Sequence, residues 1–177
     1  MNVNRDVIER LERLGLRYYV TGSEALGRYA EPRMTRDMDV VIDAHPDDYE
    51  RLIRPAFEDA YLVADLAVWP GKALGSVLHM VEIAKVDIIL GRADPWARSA
   101  LERRVHLQDP VLGSSWFISP EDLILAKLEW SEGGRSELQI RDCRSLVRLN
   151  LDLDWDYLRR YAGVLGVGAL LEQIRDD

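Results

Sequence analysis

The chain has 177 residues, 47% hydrophobic and 31% charged, with 31 acidic against 23 basic side chains and a net charge of −8. This composition fits one globular domain with at most a small appendage, and excludes a disordered chain. One cysteine and three histidines exclude a disulfide framework and a Cys/His zinc centre, and the surplus acid argues against generic nucleic-acid binding. No apolar run approaches the roughly 18–20 residues of a membrane span. Met1 to Arg10 is polar, without the apolar stretch of a secretory signal. A cytoplasmic protein with no membrane partner is expected.

In chain order, Asn4 to Leu14 has helical spacing, with Val7, Ile8, Leu11 and Leu14 on one face, Asn as cap and Gly15 as stop. Arg17 to Thr21 reads as a short strand, Gly22-Ser23 as a turn, and Glu24 to Tyr29 as a short helix. Met38 to Ile42 is a strand, and Asp47 to Phe57 a helix behind Pro46. Tyr61 to Val68 is expected as one strand. The runs HMVEI and VDIIL within 77–90 suggest a bent strand or a hairpin. Pro95 to Arg104 reads as helix and Val105 to Ile118 as short irregular strands. From Pro120 onward the pattern is helical, over 120–131, 137–149, 154–163 and about 167–175. An α/β half over 1–118 and a helical half over 119–177 are therefore predicted, joined too tightly for a flexible linker.

The chemistry concentrates in Tyr19 to Tyr29 (YVTGSEALGRY) and Thr35 to Ile42 (TRDMDVVI). Residues two apart on a strand share a face, so Asp37 and Asp39 project together with Cα atoms about 6.5–7 Å apart. Two carboxylates that close are unfavourable without a cation; they can hold one metal ion, or two, with phosphate oxygens completing the shell. A Gly-Ser turn opening a helix supplies backbone N–H groups for terminal phosphates. Asp-x-Asp alone is a weak signal. Its combination with Gly22-Ser23 and an apolar strand is a stronger one.

GSEALGRY…TRDMDVVID resembles the Gly-Ser…Asp-x-Asp signature of the polymerase-β-like nucleotidyltransferases, and within them the small AbiEii-like bacterial group. SPEDLILAKLEW at 119–130, followed by Arg141-Asp142, is similar to the tail block of that group; the resemblance covers about 17–150. It implies an α+β fold in which a small mixed sheet is flanked by helices and a C-terminal helical half packs on it. It implies Mg²⁺-dependent transfer of a nucleoside monophosphate from an NTP, with two ions when the NTP is bound. It also implies a third carboxylate on a neighbouring strand. Asp87, the one acid in Val86 to Leu90, suits that role, with Glu82 as fallback; without the resemblance Asp87 reads equally well as a solvent-facing edge residue.

On helical wheels, Lys127 falls inside the apolar arc of 120–131 and Asp142 inside that of 137–149. Buried charges are costly unless paired, so either the two form an ion pair joining the helices or both face a cleft. The resemblance lends them the second role, with Lys127 on phosphates and Asp142 orienting it. Gly22, Ser23 and Arg36 complete the expected substrate contacts; Arg28 and Arg33, around the same Asp-x-Asp loop, could also bind phosphate, and Arg141, outside the apolar arc, is a weaker candidate. Trp96, Trp116, Trp130, Trp155 and Cys143 read as packing residues. The acceptor stays open between a tRNA end, a protein and a small molecule, and an antitoxin partner is a further expectation of the group. The alternative reading is a catalytically inactive module that keeps the fold for binding.

Overall fold

A computed structural model describes residues 2–35, 37–131 and 133–176. Helix α1 (Val3–Arg13) buries Val3, Val7, Ile8 and Leu11, and the Asn2 side chain accepts from the Arg5 amide at 3.0 Å. The cap is thus Asn2, not Asn4: the helix starts early enough to bring Val3 onto the buried face. Strand β1 (Tyr18–Thr21) leads directly into α2 (Gly22–Tyr29), and β2 (Asp37–Ile42) follows. Short helices α3 (Pro46–Asp48) and α4 (Arg54–Phe57) flank a π-helical turn, Tyr49–Ile53.

The expected strand over 61–68 is two pieces, β3 (Tyr61–Val63) and β4 (Ala67–Trp69). Arg54 holds the break, binding the Val63 carbonyl at 3.1 Å and Asp65 at 3.0 Å. A hairpin follows, β5 (Lys72–His79) and β6 (Lys85–Leu90). Its turn is built from most of the HMVEI run: the Val81 and Glu82 amides both donate to His79 Nδ1, and Ile83 adopts φ 52°. Strand β5 alternates buried and half-buried positions along its length. It contains Gly75, where a Cβ would lie 2.2 Å from the Tyr49 ring, so only glycine admits that ring onto the sheet.

Helix α5 (Pro95–Glu102), the hairpin β7 (Val105–Asp109) and β8 (Gly113–Phe117), and helices α6 (Pro120–Glu129), α7 (Glu137–Leu149), α8 (Trp155–Leu165) and α9 (Gly168–Asp176) complete the chain. Among the described residues the sheet has eight strands in the order β3-β5-β6-β2-β1-β8-β7, with β4 paired to β5. It is mixed: β2 runs parallel to β6 and antiparallel to β1, and β1 runs parallel to β8. The fold is α+β. Helices α6 and α7 continue the same core, with Leu123, Ile124, Leu128, Cys143 and Leu146 all buried. Among the described residues no helix is long and apolar enough to cross a membrane.

Candidate functional site

Strand pairing brings the acids together. Asp39 lies opposite Thr21 on β1 and abreast of Asp87 on β6, while Asp37 pairs with Lys85. In-register neighbours share a sheet face, so Asp37, Asp39 and Asp87 project from the same side. Ser76 on β5, opposite Asp87, donates to Asp87 Oδ1 at 2.5 Å. The Lys85 ammonium sits among the acids, 3.0 Å from Asp87 Oδ2 and 3.5 Å from Asp37 Oδ2.

Asp39 has no hydrogen-bond donor among the described residues. Burial, then repulsion from Asp87 and Asp37, pushes its carboxyl up to about 6, against the pull of Lys127 and Lys85. Gly22 makes this approach feasible. It adopts φ 64°, and a Cβ there would lie 2.0 Å from Asp39 Oδ2. A side chain at 22 is excluded twice, by backbone conformation and by the carboxylate.

Thr21, Gly22, Asp39 and Asp87 line one end of a cleft of about 450 Å³ between the sheet face and helices α5 and α6, with Asp37 and Lys85 outside its lining. Lys127 of α6 lines it too. Its ammonium donates to Asp142 at 2.8 Å and Gln139 at 3.3 Å, and Lys127 and Asp142 are each only 4% exposed. Arg33 approaches the same Asp142 oxygen at 3.3 Å. The two helical charges form the buried ion pair, and only Lys127 also borders the cleft, where its charge acts on Asp39. Asp142 holds Lys127 from behind and is not part of the cleft lining.

The donor chemistry suits a divalent cation. Three carboxylates share a face, one without a donor, and an ammonium stands in as their counter-charge. With the lysine between them, no group of three His, Cys, Asp or Glu among the described residues is gathered tightly enough to hold an ion. The Lys85 side chain that stands among the carboxylates is 39% exposed.

Other predicted residues fall elsewhere. Ser23 is buried beside the site without lining the cleft. Arg36 lies outside the described residues. Arg28 is turned to Asp109 at 2.9 Å. Glu82, the fallback acid, sits exposed in the β5–β6 turn, because that part of HMVEI is not strand. Trp130 is not a packing residue: it is 41% exposed at the cleft rim, with the Lys72 ammonium 3.9 Å from its ring centre. Tyr19, Thr21, Gln139 and Lys85 were missed as site residues. For Lys85 the signal was present, since it stands two positions before Asp87 on one strand.

No protein-family model matches the chain, and no curated protein sequence does. Solved structures similar to it include an antigenic nucleotidyltransferase-like protein from Paracoccidioides brasiliensis, at TM-score 0.56 and 16% identity, covering 98% of this chain and 90% of that one. The solution structure of the antibiotic-resistance factor ANT(2″)-Ia matches at TM-score 0.60 and 12% identity, covering 93% and 96%. ANT(2″)-Ia in complex with adenylyl-2″-tobramycin matches at TM-score 0.53 and 11% identity, covering 96% and 93%. The likeness is one of fold, and the chain has a nucleotidyltransferase-like fold over nearly its whole length.

Proposed function

We propose that this protein is a nucleotidyltransferase that moves a nucleoside monophosphate from an NTP to an acceptor hydroxyl and releases pyrophosphate. One observation carries the reading: Asp39 and Asp87 stand abreast on adjacent strands, with Asp37 on the same face, at the end of a cleft that Lys127 borders. Carboxylates concentrated there, one without a hydrogen-bond donor, cost stability unless the site's ligand supplies positive charge.

Asp37, Asp39 and Asp87 would hold Mg²⁺, which when bound neutralises charge on the reacting phosphates. Lys127, steadied by Asp142 and Gln139, holds the triphosphate. The amides opening α2 at Gly22 and Ser23 face the same charge. Asp87 positions the acceptor hydroxyl and takes its proton as the oxygen bonds to the α-phosphorus and the bond to pyrophosphate breaks. Catalysis of this kind is mostly positioning and charge stabilisation. The tail block, Ser119 to Trp130 with Arg141-Asp142, supports an AbiEii-like, toxin-like enzyme with an antitoxin partner.

Incubation with each α-labelled NTP and Mg²⁺ tests the reading. Label on the protein itself or on an added tRNA, protein or small-molecule acceptor, lost in Asp39→Asn, is expected. Absence of both label and NTP binding overturns it. The second reading, an inactive module, rests on Lys85 as a permanent counter-ion of Asp37 and Asp87. It predicts no Mg²⁺-dependent thermal stabilisation by NTP, or one that Asp39→Asn leaves unchanged.

A further inference from the structure

Tyr19 lies directly opposite Val41, one strand step of about 6.5–7 Å along the sheet face from Thr21 and Asp39. Its side chain is only 4% exposed, yet its hydroxyl has no hydrogen-bond partner among the described residues. Five of the other six tyrosines, Tyr18, Tyr29, Tyr49, Tyr61 and Tyr157, have hydroxyls that reach Glu12, the Ile118 and Ala64 carbonyls, Asp6 and Asp122; Tyr161 of α8, 9% exposed, shares the lack of a hydrogen-bond partner among the described residues but does not line the cleft. A buried hydroxyl without a partner is costly and calls for a reason. The oxygen is not among the sealed, unpaired polar atoms of the protein, and the opening that Tyr19 borders is the cleft. Burial, and then the nearby Asp122, raise its pKa, so the phenol stays a donor.

The cleft lining that includes Tyr19 carries apolar side chains on both sides, with Arg92 and Glu129 as charged neighbours. Val41 and Ile89 line the sheet side, and Leu123 and Ala126 line the α6 side. Lys127 stands one turn from Leu123 on α6, so the apolar stretch borders the cation that suits a triphosphate. A ribose bridges a separation of one strand step. The volume, about 450 Å³, lies in the usual range of small-molecule sites.

We propose that this stretch is a nucleobase subsite: the base of the NTP lies between Val41 and Ile89 on one side and Leu123 and Ala126 on the other. The Tyr19 hydroxyl donates a hydrogen bond to an acceptor atom on the base edge and so selects among NTPs. The proposal rests on the nucleotidyltransferase reading and adds to it where the base sits and which residue reads it.

Calorimetric titration in Mg²⁺ buffer with the four NTPs, and with inorganic tripolyphosphate as a base-free probe, tests it on three proteins. The wild type is expected to bind one NTP best, and tighter than tripolyphosphate. Tyr19→Phe, which keeps the ring and its packing, should weaken that NTP about fivefold and level the preference, with tripolyphosphate unchanged. Ala126→Phe, which fills the slot from the cleft side, should weaken all four NTPs about tenfold or more and spare tripolyphosphate. Should Ala126→Phe fail to fold, Tyr19→Phe decides alone. Unaltered preference in Tyr19→Phe overturns the proposal, as does wild-type binding of NTPs no tighter than tripolyphosphate. Both outcomes leave the enzyme reading intact. A wild type that binds neither NTPs nor tripolyphosphate overturns the enzyme reading and this subsite together.

Discussion

Asp122 and Asp39 are both buried carboxylates, and the protein treats them in opposite ways. Asp122, at the start of α6, accepts from Ser119 at 2.7 Å, Trp96 at 2.9 Å and Tyr157 at 2.7 Å, with Arg103 at 3.5 Å. Burial raises its pKa, and those donors pull against the rise. Asp39 has no donor and faces Asp87 across one strand spacing, so nothing but distant ammonium charge opposes the rise. A carboxylate surrounded by donors ties α5, α6 and α8 together. A carboxylate denied donors and placed beside another is kept ready for a cation that the fold does not itself supply.

The comparison breaks most readily at Asp122. Asp122→Ala leaves Ser119 and the buried Trp96 without their acceptor, while Arg103 keeps Glu121 and Tyr157 keeps Ser99, each at 3.0 Å, and should cost about 3–4 kcal/mol in urea unfolding. A loss well below about 1 kcal/mol would show that its network is incidental. Lys127→Met comes next, since Lys127 belongs partly to each class. It strands Asp142, but Arg33 still stands 3.3 Å away. The expected loss is therefore about 2–3 kcal/mol, below the usual range for an abandoned buried partner. Adding Asp142→Leu should recover most of it, because Arg33 can turn to solvent. NTP affinity should fall in both variants and stay low in the double one. A stability loss with unchanged affinity would leave Lys127 purely structural.

Asp39→Asn should act in the opposite direction. A folded pKa of about 6 against 3.8 unfolded means that ionising Asp39 opposes folding. The penalty is absent below the lower value, grows as pH rises between the two, and is complete above the higher one. The full shift is worth about 3 kcal/mol; with the carboxylate open to cleft water, about 1–2 kcal/mol is expected. At pH 8 the variant should unfold later than the wild type, and the two should converge near pH 4. Convergence at every pH would mean that Asp39 is as well solvated as a surface acid.

How much of this could be read in the sequence depended on which residues carried the signal. Helices α6 and α7 were legible because their charges interrupt otherwise continuous apolar arcs, and an interruption at Lys127 or Asp142 stands out. Strand β2 was legible because Asp37 and Asp39 open an apolar run. The start of β5 was not, since Lys72, Gly75 and Ser76 dilute its alternation, and Gly75 is explained only by the Tyr49 ring lying on it. HMVEI misled because apolar residues were assumed to be buried. Met80, Val81 and Ile83 are exposed, and His79 caps the turn through two amides. Tyr19 was invisible as a site residue for a different reason: a missing hydrogen-bond partner exists only once α6 is packed over β1.

Lys85→Met has the smallest expected effect on folding and the most direct bearing on what the open carboxylates are for. Lys85 is 39% exposed, and its contacts with Asp87 and Asp37 are screened by water. Losing them should cost about 0.5–1 kcal/mol at most. The loss also removes one of the two charges that lower the Asp39 pKa, so Asp39 should titrate higher still in the ligand-free variant. With methionine at 85 the three carboxylates have no counter-ion in their midst, and their combined field should draw Mg²⁺ more strongly. Melting curves with and without millimolar Mg²⁺ are expected to show a larger stabilisation by the ion in Lys85→Met than in the wild type. Equal or smaller stabilisation would mean that the ammonium and the ion do not compete for one place. Asp39 would then be open for a reason other than metal, and its contrast with Asp122 would need another cause.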